Sequence, residues 1–260
     1  MFAIERQQKI KDMLMTEKRV DVLELSRMFS VSEVTIRRDL EKFSKDGLVI
    51  KTYGGAVLNE EGGLLQEPAV HREKSDDGTI EDHKMIGRIA ADMIDPGEAV
   101  FLTPGTTCLE IAKNMYNKKA TVVTNDLNIG MALKDFGGVK TIVTGGDLVQ
   151  STGILVGHFS QEILKGIYIN KAFIGVKGVS IESGYTLDSY EESVIVKTVM
   201  EISKDTIIVA DQSKFEKTAF AGLGDLTMAK KVITNRQISA EYKKFFFEHA
   251  VKLYTTYEFE

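Results

Sequence analysis

One cysteine, three prolines and no tryptophan occur in 260 residues. A lone cysteine excludes a disulfide framework and any multi-cysteine zinc or iron–sulfur site, and it fits a reducing compartment. Long apolar runs are missing too. Stretches such as Thr206 to Ala210 are strand-sized, far below the ~18 residues of a membrane span. The opening MFAIERQQKIKD carries charges where a secretory signal needs an apolar segment. Nothing in the composition is fibrous or disordered in character. These shortages predict a cytoplasmic chain with no membrane partner.

What is present is ordinary for a chain with a proper core: 43% of residues are apolar and 27% charged. The length fits one large domain, or a medium one with a small companion. The net charge of −5 divides unevenly. Residues 1–58 hold 11 Lys and Arg against 9 Asp and Glu, whereas the remainder holds 22 against 29. A +2 head therefore precedes a −7 body, which suggests two modules with different partners. Between them residues 59–82 (NEEGGLLQEPAVHREKSDDGTIED) are polar, with paired Gly and one Pro, and read as a connector. The expected domains are thus 1–58 and 83–260, with no internal repeat or low-complexity tract.

In the head, Ile4, Ile10, Met13 and Leu14 predict a helix over residues 4–16. Residues 20–29 repeat the pattern with Val22, Leu25 and Met28/Phe29, and Asp21 is placed to cap the start. Beyond Ser30-Val31, Ser32 is a natural N-cap for a third helix over 33–46, with Ile36, Leu40 and Phe43 on one apolar face. Gly47 stands in the C′ position. The free face carries Glu33, Thr35, Arg38 and Lys42, with Arg37 beside them. LVIKTYGGAVL then reads as two short strands around Gly54-Gly55, the size of a wing hairpin. This order is the layout of a winged helix-turn-helix, whose second motif helix can enter the major groove, where arginines read guanine edges or grip phosphates. The N-terminus at Ser32 also offers N–H groups to a phosphate. A small helical bundle with a solvated charged face would give the same pattern.

The run VSEVTIRRDLEKFSKDGLVIKTYGGAV resembles the N-terminal domain of DeoR-type bacterial transcription regulators. Their signature is a Val-Ser start, Thr-Ile-Arg-Arg-Asp-Leu, a following Gly, and a His-Gly-Gly-Ala wing; Tyr53 stands where the family usually has His. The resemblance covers the first 58 residues. It implies a double-stranded DNA operator as partner, with Ser32, Glu33, Thr35, Arg37, Arg38, Lys42, Lys51 and Tyr53 as contacts.

In the body the pattern alternates. Residues 80–94 predict an amphipathic helix, Pro96-Gly97 a turn, and residues 99–103 an apolar strand. Strand-like runs recur at 121–124, 141–144, 172–176, 206–210 and 231–234, with helices between them, including 108–116 and 190–202. Such alternation predicts a mostly parallel sheet covered on both faces, with ligands at the carboxyl ends of its strands. There the chain carries Pro104-Gly105-Thr106-Thr107, then Thr124-Asn125 with Asp126 as an N-cap candidate, Gly145-Gly146-Asp147, and Asp211-Gln212-Ser213-Lys214-Phe215. A Gly-Thr-Thr turn opening a helix supplies N–H groups, hydroxyls and a positive dipole end suited to phosphate. It is not a Walker loop, because no Gly-Lys-Thr/Ser follows at the required spacing.

Residues 84–235 also resemble the DeoR family's C-terminal sensor domain. The matching features are Lys84, Gly105-Thr106-Thr107, VVTN at 122–125, Gly145-Gly146, AFIGVKGV at 172–179, Gly184 with Thr186, and DQSKF at 211–215. The resemblance implies an α/β fold similar to ribose-5-phosphate isomerases and a phosphorylated sugar or polyol as effector. Gly105, Thr106 and Thr107 would hold the phosphate; Asn125, Asp211 and Lys214 would lie near the sugar, Lys84 would add charge, and Gly145 and Gly146 would belong to the same rim. Two positions depart from the family pattern. Thr103-Pro104 stand where an Asp often precedes the loop, and Asn170 lies near an Asp that often precedes the Ala-Phe strand.

The rival class is a sugar-phosphate isomerase with an added head. Isomerisation needs a base, usually a carboxylate raised toward neutral pKa. After AFIGV this chain has Lys177 and Gly178, and no carboxylate until Glu182. His71, His83, His158 and His249 have no metal-ligand spacing, and Cys108, inside the helix after the phosphate loop, reads as core. A scaffold would leave the basic helix and the phosphate loop unexplained. The expectation is therefore a non-enzymatic regulator without cofactor or metal. It represses a carbohydrate-utilisation operon, is relieved by a phosphorylated sugar or polyol, and acts as a dimer or tetramer whose heads share repeated half-sites.

Overall fold

The computed structural model describes residues 3–45, 48–52, 54–58 and 77–255. Contacts divide the chain into two compact units, Met1–Glu67 and Pro68–Glu260.

The first unit contains α1 (Ala3–Glu17), β1 (Arg19–Asp21), α2 (Val22–Phe29), α3 (Glu33–Lys45), β2 (Val49–Lys51) and β3 (Gly55–Leu58). Asp21 caps α2, its carboxylate accepting from Leu23 N at 2.8 Å and Glu24 N at 3.1 Å. Ser30 ends α2 in the left-handed region at φ 52°, and Val31 N reaches back to Ser26 O at 3.2 Å, giving the tight turn into α3. Ile10, Leu14, Leu25, Ile36, Leu40 and Val49 form the buried core. The expected hairpin is one sheet of three strands, ordered β1-β3-β2 and antiparallel. Val20, expected to open the second helix, is instead a strand residue opposite Ala56. Gly47 lies outside the described residues.

The second unit opens with α4 (Asp77–Asp92), so residues 77–82 of the expected connector are helical. Seven parallel strands follow: β4 (Ala99–Leu102), β5 (Ala120–Thr124), β6 (Val139–Val143), β9 (Ile169–Gly175), β12 (Ser203–Val209), β14 (Lys231–Ile233) and β15 (Lys252–Tyr254). Their order is β15-β14-β12-β9-β4-β5-β6. The chain therefore builds outward on one side of β4 and then on the other, leaving a switch point between β4 and β9.

Alternate residues along these strands serve opposite layers, as a doubly covered sheet requires. Val100, Leu102, Val122, Phe173, Ile207 and Val209 pack with α4, α5 (Thr106–Lys113) and α6 (Leu127–Leu133). Phe101, Val123, Ala172, Ile174, Ile208 and Val232 pack with α7 (His158–Lys165), α8 (Tyr190–Glu201) and α9 (Ala240–Glu248). Two additions escape the periodicity reading. One is the hairpin of β7 (Asp147–Val149) and β8 (Ile154–Val156). The other is an antiparallel sheet of β10 (Gly178–Ser180), β11 (Gly184–Leu187) and β13 (Ala221–Gly224). Among the described residues no helix is long and apolar enough to cross a membrane.

Candidate functional sites

In the first unit, α3 turns Ile36, Leu40 and Phe43 inward and leaves Arg37, Arg38 and Lys42 exposed. Ser32 Oγ accepts from Thr35 N at 3.3 Å and lies 2.9 Å from Thr35 Oγ1, which holds the helix entry. Glu33 pairs with Arg37 at 3.2 Å one turn on. Lys51 is exposed on β2, while Tyr53 lies outside the described residues. Periodicity did not reveal the contact that seats the helix. Asp39, on the buried side, accepts from Arg6 Nε at 2.7 Å and Gln7 Nε2 at 2.6 Å. Its only sequence signal is an acidic residue standing between Ile36 and Leu40.

In the second unit a cavity of about 260 Å³ opens at the carboxyl ends of β4, β5, β9 and β12, at the switch point. The loop after β4 supplies Thr103 to Cys108 to its wall. Gly105 holds φ at +124°, a value that favours glycine, and no side chain caps α5 at this position. The first N–H groups of that helix have no intrahelical acceptor. Gly105 N itself donates to Asp126 Oδ2 at 3.3 Å, and Asp126 also caps α6 through Asn128 N at 2.8 Å. Burial raises the Asp126 carboxyl above the usual range despite these donors. Thr103 binds the two central strands together, its Oγ1 accepting from Gly175 N at 2.8 Å and donating to Phe173 O at 3.3 Å.

Asn125 extends the wall from β5. Its Nδ2 donates to Leu155 O at 3.0 Å, and its Oδ1 is buried without a hydrogen-bond partner. Across the cavity stand Lys177, Lys214, Lys217 and His83. His83 Nε2 lies 3.0 Å from Asp211 Oδ2, and Ser213 N donates to Asp211 Oδ1 at 2.7 Å. Burial alone would raise the Asp211 carboxyl, but His83, Ser213 and Lys214 together hold it well below the usual carboxylate range. The adjoining Asp82 Oδ2 accepts from Asn235 Nδ2 at 2.7 Å, and Asn235 Oδ1 accepts from Gln212 N at 2.7 Å. Two neighbouring residues of α4 therefore grip the same rim.

The structure brings Gly105, Thr106, Thr107, Asn125 and Lys214 to one cavity, with Asp211 directly behind His83. Lys84 is not part of the lining; it is half-buried and pairs with Glu81 at 2.7 Å, while its neighbour His83 faces the cavity. Gly145 and Gly146 are also outside the lining. A Cβ on Gly146 would overlap Ser160 Oγ and come within 2.5 Å of Val156 O, so the pair serves the turn into β7. Asn170 sits at the opposite end of the sheet, where its Oδ1 accepts from Ala99 N at 2.8 Å. The sequence reading missed Glu192, which lines the cavity from the first turn of α8. Its only signal was the Ser189-x-x-Glu192 capping pattern. Burial pushes the Cys108 thiol up to about 12, which leaves it a core group and not a nucleophile.

A winged helix-turn-helix followed by a parallel α/β unit with a cavity at its switch point is the layout of a DNA-binding transcriptional regulator. Residues 6–62 match the DeoR-like helix-turn-helix domain and residues 79–236 the DeoR C-terminal sensor domain. The chain belongs to the DeoR family of transcriptional regulators. It is 31% identical to the HTH-type transcriptional repressor GlcR of Bacillus subtilis, with 98% of this chain and 97% of that one covered. It is 30% identical to the lactose phosphotransferase system repressor of Lactococcus lactis, with 95% and 97% covered. Among solved structures it is similar to ribose 5-phosphate isomerase A from Neisseria gonorrhoeae at 14% identity, with 52% and 53% covered and a TM-score of 0.40.

Proposed function

We propose that this regulator represses a carbohydrate-utilisation operon and releases its operator when a phosphorylated sugar or polyol fills the cavity. The observation that carries this reading is the uncapped start of α5 at Gly105–Thr107 in one cavity with Lys214 and the unpartnered Asn125 Oδ1. Helix N–H groups and a cation suit a phosphoryl group, and a buried acceptor suits a hydroxyl. The names of relatives that repress sugar systems support the same class of operon. In the head, Ser32, Glu33, Thr35, Arg37, Arg38, Lys42, Lys51 and Tyr53 contact DNA, and a homo-oligomer presents several heads so that avidity adds to each modest grip. An effector with different affinity for the DNA-bound and released arrangements shifts the balance between them. Thermal-shift titration of the full chain with hexose, pentose and polyol phosphates tests the cavity. A ligand at about 100 times its Kd adds about 2.7 kcal/mol of stability. At least one ester is expected to raise the melting temperature, and no response across the panel would contradict the reading.

A further inference from the structure

Besides its anion-suited groups, the cavity holds an acidic side chain. Glu192 lines it together with Thr106, Thr107 and Lys214. Its backbone N–H is bonded to Ser189 Oγ at 3.3 Å, which sets the turn that carries it. No hydrogen bond from the described residues reaches its carboxylate. Burial pushes the Glu192 carboxyl above the usual range; Lys177 pulls the other way, and Asp188, Asp126 and Glu191 add to the upward push. Burial in the cavity wall thus penalises the carboxylate, a penalty that a hydrogen-bond donor from a ligand would relieve.

Asn125 also lines the cavity, and its Oδ1 is a buried acceptor without a hydrogen-bond partner. Two acceptors in a space otherwise built for an anion describe a ligand with two kinds of group. A phosphoryl group takes the N–H donors of α5, and hydroxyls meet Glu192 and Asn125. Hydrogen phosphate brings a single O–H donor for the two acceptors and places like charge beside Glu192, whereas a phosphorylated sugar or polyol brings several hydroxyls. A site that hydrogen-bonds a ligand hydroxyl rejects analogues lacking it by orders of magnitude, because its own polar groups are then left unpaired.

We propose that Glu192 is the specificity-determining residue of this cavity: it turns away inorganic phosphate and accepts a hydroxyl of the phosphorylated ligand. This rests on the reading of the cavity as a phosphate-ester site.

Calorimetric titration of the full chain at neutral pH, with inorganic phosphate and with the panel of sugar and polyol phosphates, tests it. The wild-type chain binds at least one ester about tenfold tighter than inorganic phosphate, or more. Glu192→Gln retains a side chain suited to the third position of the helix and loses about tenfold in ester affinity while binding inorganic phosphate more tightly. An unchanged ratio of ester to phosphate affinity in Glu192→Gln overturns the proposal and leaves the cavity reading standing. Failure of the wild-type chain to bind any ester overturns both. If Glu192→Gln does not fold, Glu192→Asp carries the test: the charge still rejects phosphate, the shorter arm loses ester affinity, and unchanged ester affinity overturns the proposal.

Discussion

Arg6 Nε donates to Asp39 Oδ2 at 2.7 Å across 33 residues of sequence, and both side chains are more than nine-tenths buried. The pair ties α1 to the helix whose opposite face carries Arg37 and Arg38. Removing one partner of a buried pair strands the other charge, which costs about 3–5 kcal/mol. Asp39→Ala should therefore unfold the head at lower urea than the wild type, read by hydrogen exchange over residues 3–45. Joint replacement by Met at Arg6 and Leu at Asp39 should recover most of that loss, because two apolar groups of similar volume leave no charge stranded. Equal loss in the single and double variants would show that packing, and not charge, sets the cost.

Arg38→Ala should weaken operator binding by about 1–3 kcal/mol if the guanidinium reads a base edge. Arg37, already paired with Glu33 at 3.2 Å, should cost less. Gel shifts at two salt concentrations separate the roles: loss of a phosphate contact lowers the salt slope, whereas loss of a base contact relaxes sequence preference. Unchanged binding removes Arg38 from the contact set.

Much of this architecture is legible because its signals are local. Asp21, Ser32 and Asp126 each announce a helix start within three residues, and six of the seven parallel strands stand out as short apolar runs. β1 was hidden because three residues make a strand only when Ala56 arrives opposite Val20. His83 and Glu192 were hidden for the same reason: topology brings each of them to the switch point from a distant segment. Gly145-Gly146 was readable as a special backbone, with φ of +70° and +118°, but not as a packing turn, since Ser160 and Val156 lie ten or more residues on.

Gly146→Ala separates those meanings. It should destabilise the second unit by about 1–3 kcal/mol through strain and overlap, while ligand affinity measured below the melting temperature stays as in the wild type. A selective loss of affinity would return this loop to the ligand site.

Asp211 predicts a pH dependence. Its folded carboxyl titrates below its unfolded value near 3.8. The unfolded state therefore binds the extra proton, and stability rises with pH through the acid range. The contribution is fully present above the unfolded value and is lost as pH falls from there toward the folded one. Thermal melts from about pH 3 to about pH 7 should show a flatter acid limb for Asp211→Asn than for the wild type. Parallel limbs would mean that the His83 contact contributes no linkage.

An ester bound at Gly105–Thr107 should control the grip of the head on DNA. Fluorescence anisotropy of labelled operator, with and without the ester selected by thermal shift, measures this directly when the chain carrying both Thr106→Val and Thr107→Val is compared with the wild type. Ester should lower the operator affinity of the wild-type chain, while the double variant should bind operator as tightly as wild type and ignore the ester. Equal loss of DNA binding and ester response in the variant, or an undiminished response, would contradict it.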